Sequence, residues 1–160
     1  TRNPFALARI TVSGEQVATP EWPWDVGSAV LWPDVTDLPV DQELVLDASR
    51  GGMHGINWMI NGESFPRYTP IELKDGEFTV MEFVNRSSRI HPMHLHGQFF
   101  RVIAIDGKDV SESFWRYTVL VGPKETIRIA FASPEAGDWV LHCHILEHAE
   151  AGMMTVLSVE

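Results

Sequence analysis

The chain has 160 residues, enough for one domain with a proper core, and its apolar fraction of 44% is ordinary for a globular protein. A formal charge of −10 with neutral histidines argues against nucleic acid or an anionic membrane surface as partner, because both need a basic face. A single cysteine excludes an internal disulfide, and no apolar run approaches the ~20 residues that cross a bilayer as a helix.

The chain opens Thr1-Arg2-Asn3 rather than on methionine, which reads as a processed, trimmed or excised product, and no signal peptide is visible. Phe5 to Val12 reads as a first strand, with a turn at Ser13-Gly14. About 17–41 the character changes: Pro20, Pro23, Pro33 and Pro39 rule out a long helix or central strand. Trp22, Trp24 and Trp32 lie between those prolines and argue for packing rather than disorder, on this domain's surface or on a neighbour. Glu43 to Ala48 is a short strand. Ile56 to Ile60 followed by Asn61-Gly62 is a hairpin signal, since Asn-Gly supplies the positive φ angles of a tight turn. Glu77 to Asn85, Phe99 to Ile105, Tyr117 to Val121, Thr126 to Phe131, Asp138 to Cys143 and Met154 to Val159 follow, with turns at Asp106-Gly107 and Gly122-Pro123. One short helix is expected over Ile145 to Ala151, stopped at Gly152. Roughly nine short strands between turn signals give an all-β Greek-key sandwich, a single domain over 1–160.

Six of the seven histidines fall in two short stretches, His91-Pro92-Met93-His94-Leu95-His96-Gly97 and His142-Cys143-His144 with His148 beyond it. Side chains alternate along extended backbone, so His142 and His144 face one way and Cys143 the other. His94 and His96 share a face, and His91, held extended before Pro92, takes the opposite one. Two sites follow. One collects His91, Cys143 and His148, with Met153 as the candidate fourth donor; the other collects His94, His96, His142 and His144.

Two imidazoles and a thiolate with a weak thioether make the donor set of a blue copper centre. Zinc also suits such donors, but would leave the histidines behind Cys143 unexplained. Neutral imidazoles in the second site suit copper, zinc or iron. The plainer alternatives are a buried structural thiol for Cys143, packing for Met153 with Met154 as its rival, and a solvated loop position for His54. Met53, Met59, Met81 and Met93 read as packing, and Asp106 and Asp109 as turn residues.

Both motifs, with Asn61-Gly62 and Phe65-Pro66, resemble the C-terminal cupredoxin domain of the multicopper oxidases, the laccase and cuprous-oxidase family. The resemblance implies a cupredoxin-like fold. It implies His91, Cys143, His148 and Met153 as type 1 copper ligands, where electrons arrive. It implies His94 as a type 2 ligand and His96, His142 and His144 as type 3 ligands, with His142-Cys143-His144 as the electron relay. It also implies a periplasmic or secreted location.

Two departures qualify the match. The family's trinuclear cluster is completed by further histidines in an N-terminal domain, which this chain lacks; its one spare histidine is His54. Several bacterial relatives carry an acid directly after the last type 1 histidine, where this chain has Ala149 and then Glu150. The resulting expectation is a blue-copper electron-transfer domain whose second copper site is half supplied. Its donor would be a phenol, a metal ion or a redox protein, and the missing N-terminal domains or further copies would complete it. The alternatives are a competent oxidase completed by oligomerisation or a partner chain, and a copper-binding or storage protein without turnover.

Overall fold

The computed structural model describes residues 38–52, 55–133 and 135–160, with the isolated positions 11, 13, 14 and 35. The chain divides into two compact units, Thr1–Pro33 and Asp34–Glu160. The expected first strand (apart from Thr11), the three tryptophans of the proline-rich segment, Met53 and His54 lie outside the described residues.

The second unit is an all-β, cupredoxin-like sandwich. Its strands are β1 (Gln42–Arg50), β2 (Ile56–Ile60), β3 (Ile71–Leu73), β4 (Phe78–Asn85), β5 (His91–Leu95), β6 (Arg101–Ile105), β7 (Lys108–Asp109), β8 (Thr118–Val121), β9 (Thr126–Ala132), β10 (Gly137–Cys143) and β11 (Met154–Val159), with one helix, α1 (Leu146–Glu150). One sheet runs β2-β1-β4-β9-β6-β7 and the other β3-β11-β10-β5-β8. The β1–β4 and β11–β3 pairs are parallel and the remaining pairs antiparallel.

Alternation builds the core. Leu44 and Leu46 of β1, Met81 and Phe83 of β4, and Ile127, Ile129 and Phe131 of β9 turn inward from the first sheet. Met93 and Leu95 of β5, Val119 and Val121 of β8, Leu141 of β10 and Leu157 of β11 meet them from the second. Each fully buried side chain of this size is worth roughly 1.5–3 kcal/mol relative to exposure.

The turns behave as their residues require. Asp106 (φ 49°) and Gly107 (φ 71°) close the β6–β7 hairpin, and the Asp106 carboxylate accepts the Thr126 N–H at 2.9 Å. Asn61 (φ 53°) and Gly62 (φ 78°) form the expected tight turn, but it closes on an isolated Ile60–Glu63 bridge. The partner of β2 is β1 instead, and the Asn61 side chain pins that pairing by accepting the Val45 N–H at 2.7 Å.

Candidate metal centre

Strands β5 and β10 lie side by side, with Leu95 opposite Leu141, His94 opposite His142 and Met93 opposite Cys143. This register puts the alternation of the two strands in phase. His91, Met93 and Leu95 are buried along one face of β5, and Leu141 and Cys143 along the same face of β10. His94 and His142 take the other face, half-buried, continued by the exposed His96 and His144.

On the buried face three donors converge. His148 Nδ1 lies 3.2 Å from His91 Nδ1, and Cys143 Sγ lies 3.6 Å from His148 Nδ1 and 3.9 Å from His91 Nδ1. An ion bonded to imidazole at about 2.0 Å and to sulfur at about 2.3 Å in a trigonal plane separates its donors by about 3.5 Å (N to N) and 3.7 Å (N to S). The three side chains therefore fit a metal ion with little rearrangement.

His148 reaches the site because α1 turns the chain back after β10. Its N-cap is Ile145, and Gly152 (φ 111°) ends the turn. A side chain at Gly152 would run into Ser64 Oγ and come within 3.0 Å of the Trp58 carbonyl. The same corner is tied by the Trp58 N–H to Ala151 O at 3.0 Å and the Phe65 N–H to Gly152 O at 3.0 Å.

The two methionines separate by register. Met154 lies opposite His142 in β11 and shares its face. Met153 is fully buried; its carbonyl accepts the Cys143 N–H at 3.1 Å, and its N–H donates to His148 O at 2.9 Å. Alternation gives Met153 the side of Cys143, which favours it over Met154 as the fourth donor.

Burial governs the electrostatics. The Cys143 thiol is pushed up to about 11 by burial, with the Ile145 N–H pulling the other way. His91 is pushed down to about 4, by burial first and by His148 second. His148 is lowered by burial and by Arg89, with Glu147 opposing. At neutral pH the donors are thus neutral, the protonation state in which imidazole is ready to ligate, and a cation would hold Cys143 as the thiolate.

Two neighbours of the site escaped the sequence reading. Trp58, the buried middle residue of β2, packs its ring 4.0 Å from that of His148 and 5.2 Å from that of His91. Ser87 Oγ lies 2.7 Å from His91 Nε2. Outside Trp58 and His148 an open cleft of about 570 Å³ is bordered by Arg89, Ile90, Ile145, Glu147 and Glu150. Glu150, the displaced acid, faces this cleft.

On the opposite face His94, His96 and His142 bring ring nitrogens within 4.8 Å of one another, and His96 Nε2 is 3.0 Å from His142 Nε2. His144 stands beside that trio, its ring 4.5 Å from that of His94 and 5.2 Å from that of His142. Because a carbonyl only accepts, the 2.6 Å contact with Tyr117 O makes His94 Nδ1 a donor, and the 3.0 Å contact with Cys143 O does the same for His142 Nδ1. Both rings thus leave Nε2 without its own proton, and that of His142 meets His96 Nε2. His96 and His144 are lowered by burial first and then by their neighbouring histidines.

The fold and the donor sets together define a copper-binding domain of the cupredoxin type. The multicopper oxidase family model matches residues 37–160, and the chain belongs to the multicopper oxidase family. Multicopper oxidase MmcO of Mycobacterium tuberculosis is 32% identical over 170 residues, covering 95% of this chain and 32% of that protein. Laccase-5 of Trametes villosa is 29% identical over 136 residues, covering 81% of this chain and 26% of that protein. The crystal structure of the McoA multicopper oxidase from Aquifex aeolicus superimposes with a TM-score of 0.65 at 32% identity, covering 81% of this chain and 31% of that one. The chain therefore spans about a third or less of these relatives. Copper is the metal this family binds.

Proposed function

We propose that this chain is the electron-accepting domain of a laccase-like multicopper oxidase. His91, Cys143 and His148, with Met153 as the weak fourth donor, would hold a type 1 copper. His142-Cys143-His144 would relay electrons toward a type 2/type 3 site that His94, His96, His142 and His144 supply only in half. The observation that carries this reading is the convergence of His91 Nδ1, Cys143 Sγ and His148 Nδ1 within 3.9 Å on a buried point, with two further histidines flanking the cysteine on the opposite face.

Copper bound there would supply a one-electron couple. The protein supplies the rest. Trp58 and α1 exclude water from the donors, and His148, 8% exposed beside the cleft, offers the shortest way in for a reduced phenol, a metal ion or a redox protein. From Cys143 the way out is the backbone to His144 and, more directly, the Cys143 carbonyl that the His142 ring donates to at 3.0 Å. A periplasmic or secreted location fits such a role. As a lone chain it would carry electrons without reducing dioxygen.

The second reading, a competent oxidase formed by assembly, is favoured by one observation. The open histidine face is edged by Phe99 and Tyr117, 61% and 57% exposed, whose rings meet edge to face 6.4 Å apart. Further copies, or a partner with the missing imidazoles, would cover apolar area there. Copper per chain, native mass and oxygen uptake with a phenolic donor separate the readings. One copper per monomer with a strong blue colour and no oxygen uptake supports the first. Oxygen uptake confined to oligomers carrying further copper supports the second. A colourless copper(II) complex sinks both.

A further inference from the structure

The loop between β4 and β5 contributes no donor to the proposed centre, yet Ser87 within it and Asn85 at the end of β4 are buried polar residues. Asn85 is 2% exposed and Ser87 7%. The Asn85 amide donates to Arg89 O at 2.7 Å and to Gly122 O at 2.8 Å, and its oxygen accepts the Ser87 N–H at 2.9 Å. This clamps the loop to the end of β8.

Ser87 Oγ has three neighbours inside that clamp. Arg89 N–H lies 3.1 Å away and can only donate; Arg89 O lies 3.2 Å away and can only accept; His91 Nε2 lies 2.7 Å away and can do either. A hydroxyl has one proton. If it goes to Arg89 O, which also accepts from the Asn85 amide, the Ser87 oxygen is left to accept from both Arg89 N–H and His91 Nε2–H. His91 Nδ1 is then bare, and it faces Cys143 and His148.

We propose that Ser87 is the positioning residue that fixes His91 as the Nε2–H tautomer, presenting a bare Nδ1 to the copper site before any metal arrives. This rests on the functional reading above for its purpose, but not for its geometry. Partners of this kind orient ligating imidazoles, and losing one lowers metal affinity by about 10–100-fold. Without the hydroxyl, a buried Nε2–H has no acceptor. The proton then moves to Nδ1, where it must be displaced before a metal can bind.

The test is the tautomer of His91 in the copper-free domain, read from long-range proton–nitrogen NMR of the imidazole, followed by copper titration. The wild-type ring should carry its proton on Nε2. In Ser87→Ala the Nδ1–H form should become populated, copper(II) affinity should fall by about 10–100-fold, and the visible band should shift. Ser87→Thr, which keeps the hydroxyl, should restore all three. A wild-type His91 protonated on Nδ1 overturns the assignment even if no variant folds, as does a Ser87→Ala domain with unchanged tautomer and affinity. If the tautomers behave as stated but copper gives no blue colour, the functional reading falls and the role of Ser87 stands.

Discussion

On one face of β5 and β10 the described residues close the site around His91 and Cys143; on the other they leave His94, His96, His142 and His144 open. The strands and their alternation are the same for both faces. What differs is the cover. The closed face has β2 with Trp58, the α1 turn with His148 and Met153, and the Ser87 loop, all from this chain. On the open face the His94 and His142 rings are held from behind, through Tyr117 O and Cys143 O, and the exposed Phe99 and Tyr117 lie at its edge. Among the described residues these donors are held from behind and their front is uncovered, which supports the proposal that something else completes the site.

The largest break in this comparison is Cys143→Ser. It removes the donor expected to give the intense visible colour and leaves the open face intact. The blue band should vanish, and affinity at the closed site should fall by more than the ~10–100-fold that loss of a supporting residue alone produces. A Cys143→Ser domain that stays blue would falsify the assignment. His94→Ala or His142→Ala is the mirror experiment. The band should persist, while affinity for copper beyond the first equivalent falls by about tenfold or more. Loss of the band in both variants would mean that the two faces are not independent.

A smaller effect separates the faces through their glycines. Gly152→Ala forces a side chain against Ser64 and the Trp58 carbonyl at a φ of 111°. It should cost about 1–3 kcal/mol and weaken the blue site, because it displaces the turn that carries His148 and Met153. Gly97→Ala, at φ 66° beneath the Trp139 ring, should cost a similar amount but leave the band where it is. Thermal melts with and without copper distinguish them: only Gly152→Ala should lose the stabilisation that copper confers.

The division of His91, His94, His96, His142, Cys143 and His144 between two faces was legible in the sequence because it needs only the period of a strand, whereas His148 comes in on the α1 turn. The strands bounded by Asp106-Gly107 or rich in β-branched residues were legible for the same local reasons. Strand β3 was not, since Ile71–Leu73 is three residues long and exists by pairing with β11, far along the chain. Asn61-Gly62 announced a turn correctly, but a turn signal does not say which strand β2 will join. Trp58 and Ser87 were invisible as site residues for a related reason. Each touches a donor only after the loops on either side of β4 and β10 have packed, and no spacing rule carries that information.

The last difference between the faces is how they answer to pH once copper is removed. His91 titrates near 4 in the folded domain against an ordinary 6.5, so between these values the unfolded chain binds the proton that the folded one refuses. Stability contributed by His91 is present above pH 6.5 and is lost as pH falls toward 4, at a slope of up to about 1.4 kcal/mol per pH unit for one proton. Cys143 has the opposite sign: raised to about 11 from 9.0, it stabilises below pH 9 and its contribution is lost as pH rises through 11. The copper-free domain should therefore be most stable between about pH 6.5 and 9. His96 and His144 are also lowered, by burial first and by neighbouring histidines second, so salt should erase only the share that comes from those exposed neighbours. Denaturant melts of the copper-free domain from pH 4 to 8, at low and at about 0.5 M salt, test this. His91→Gln should remove about one proton from the acid slope at both salt levels, while the effect of His144→Ala should be smaller and should shrink further at high salt. Equal effects of the two substitutions at high salt would show that the closed face is no drier than the open one.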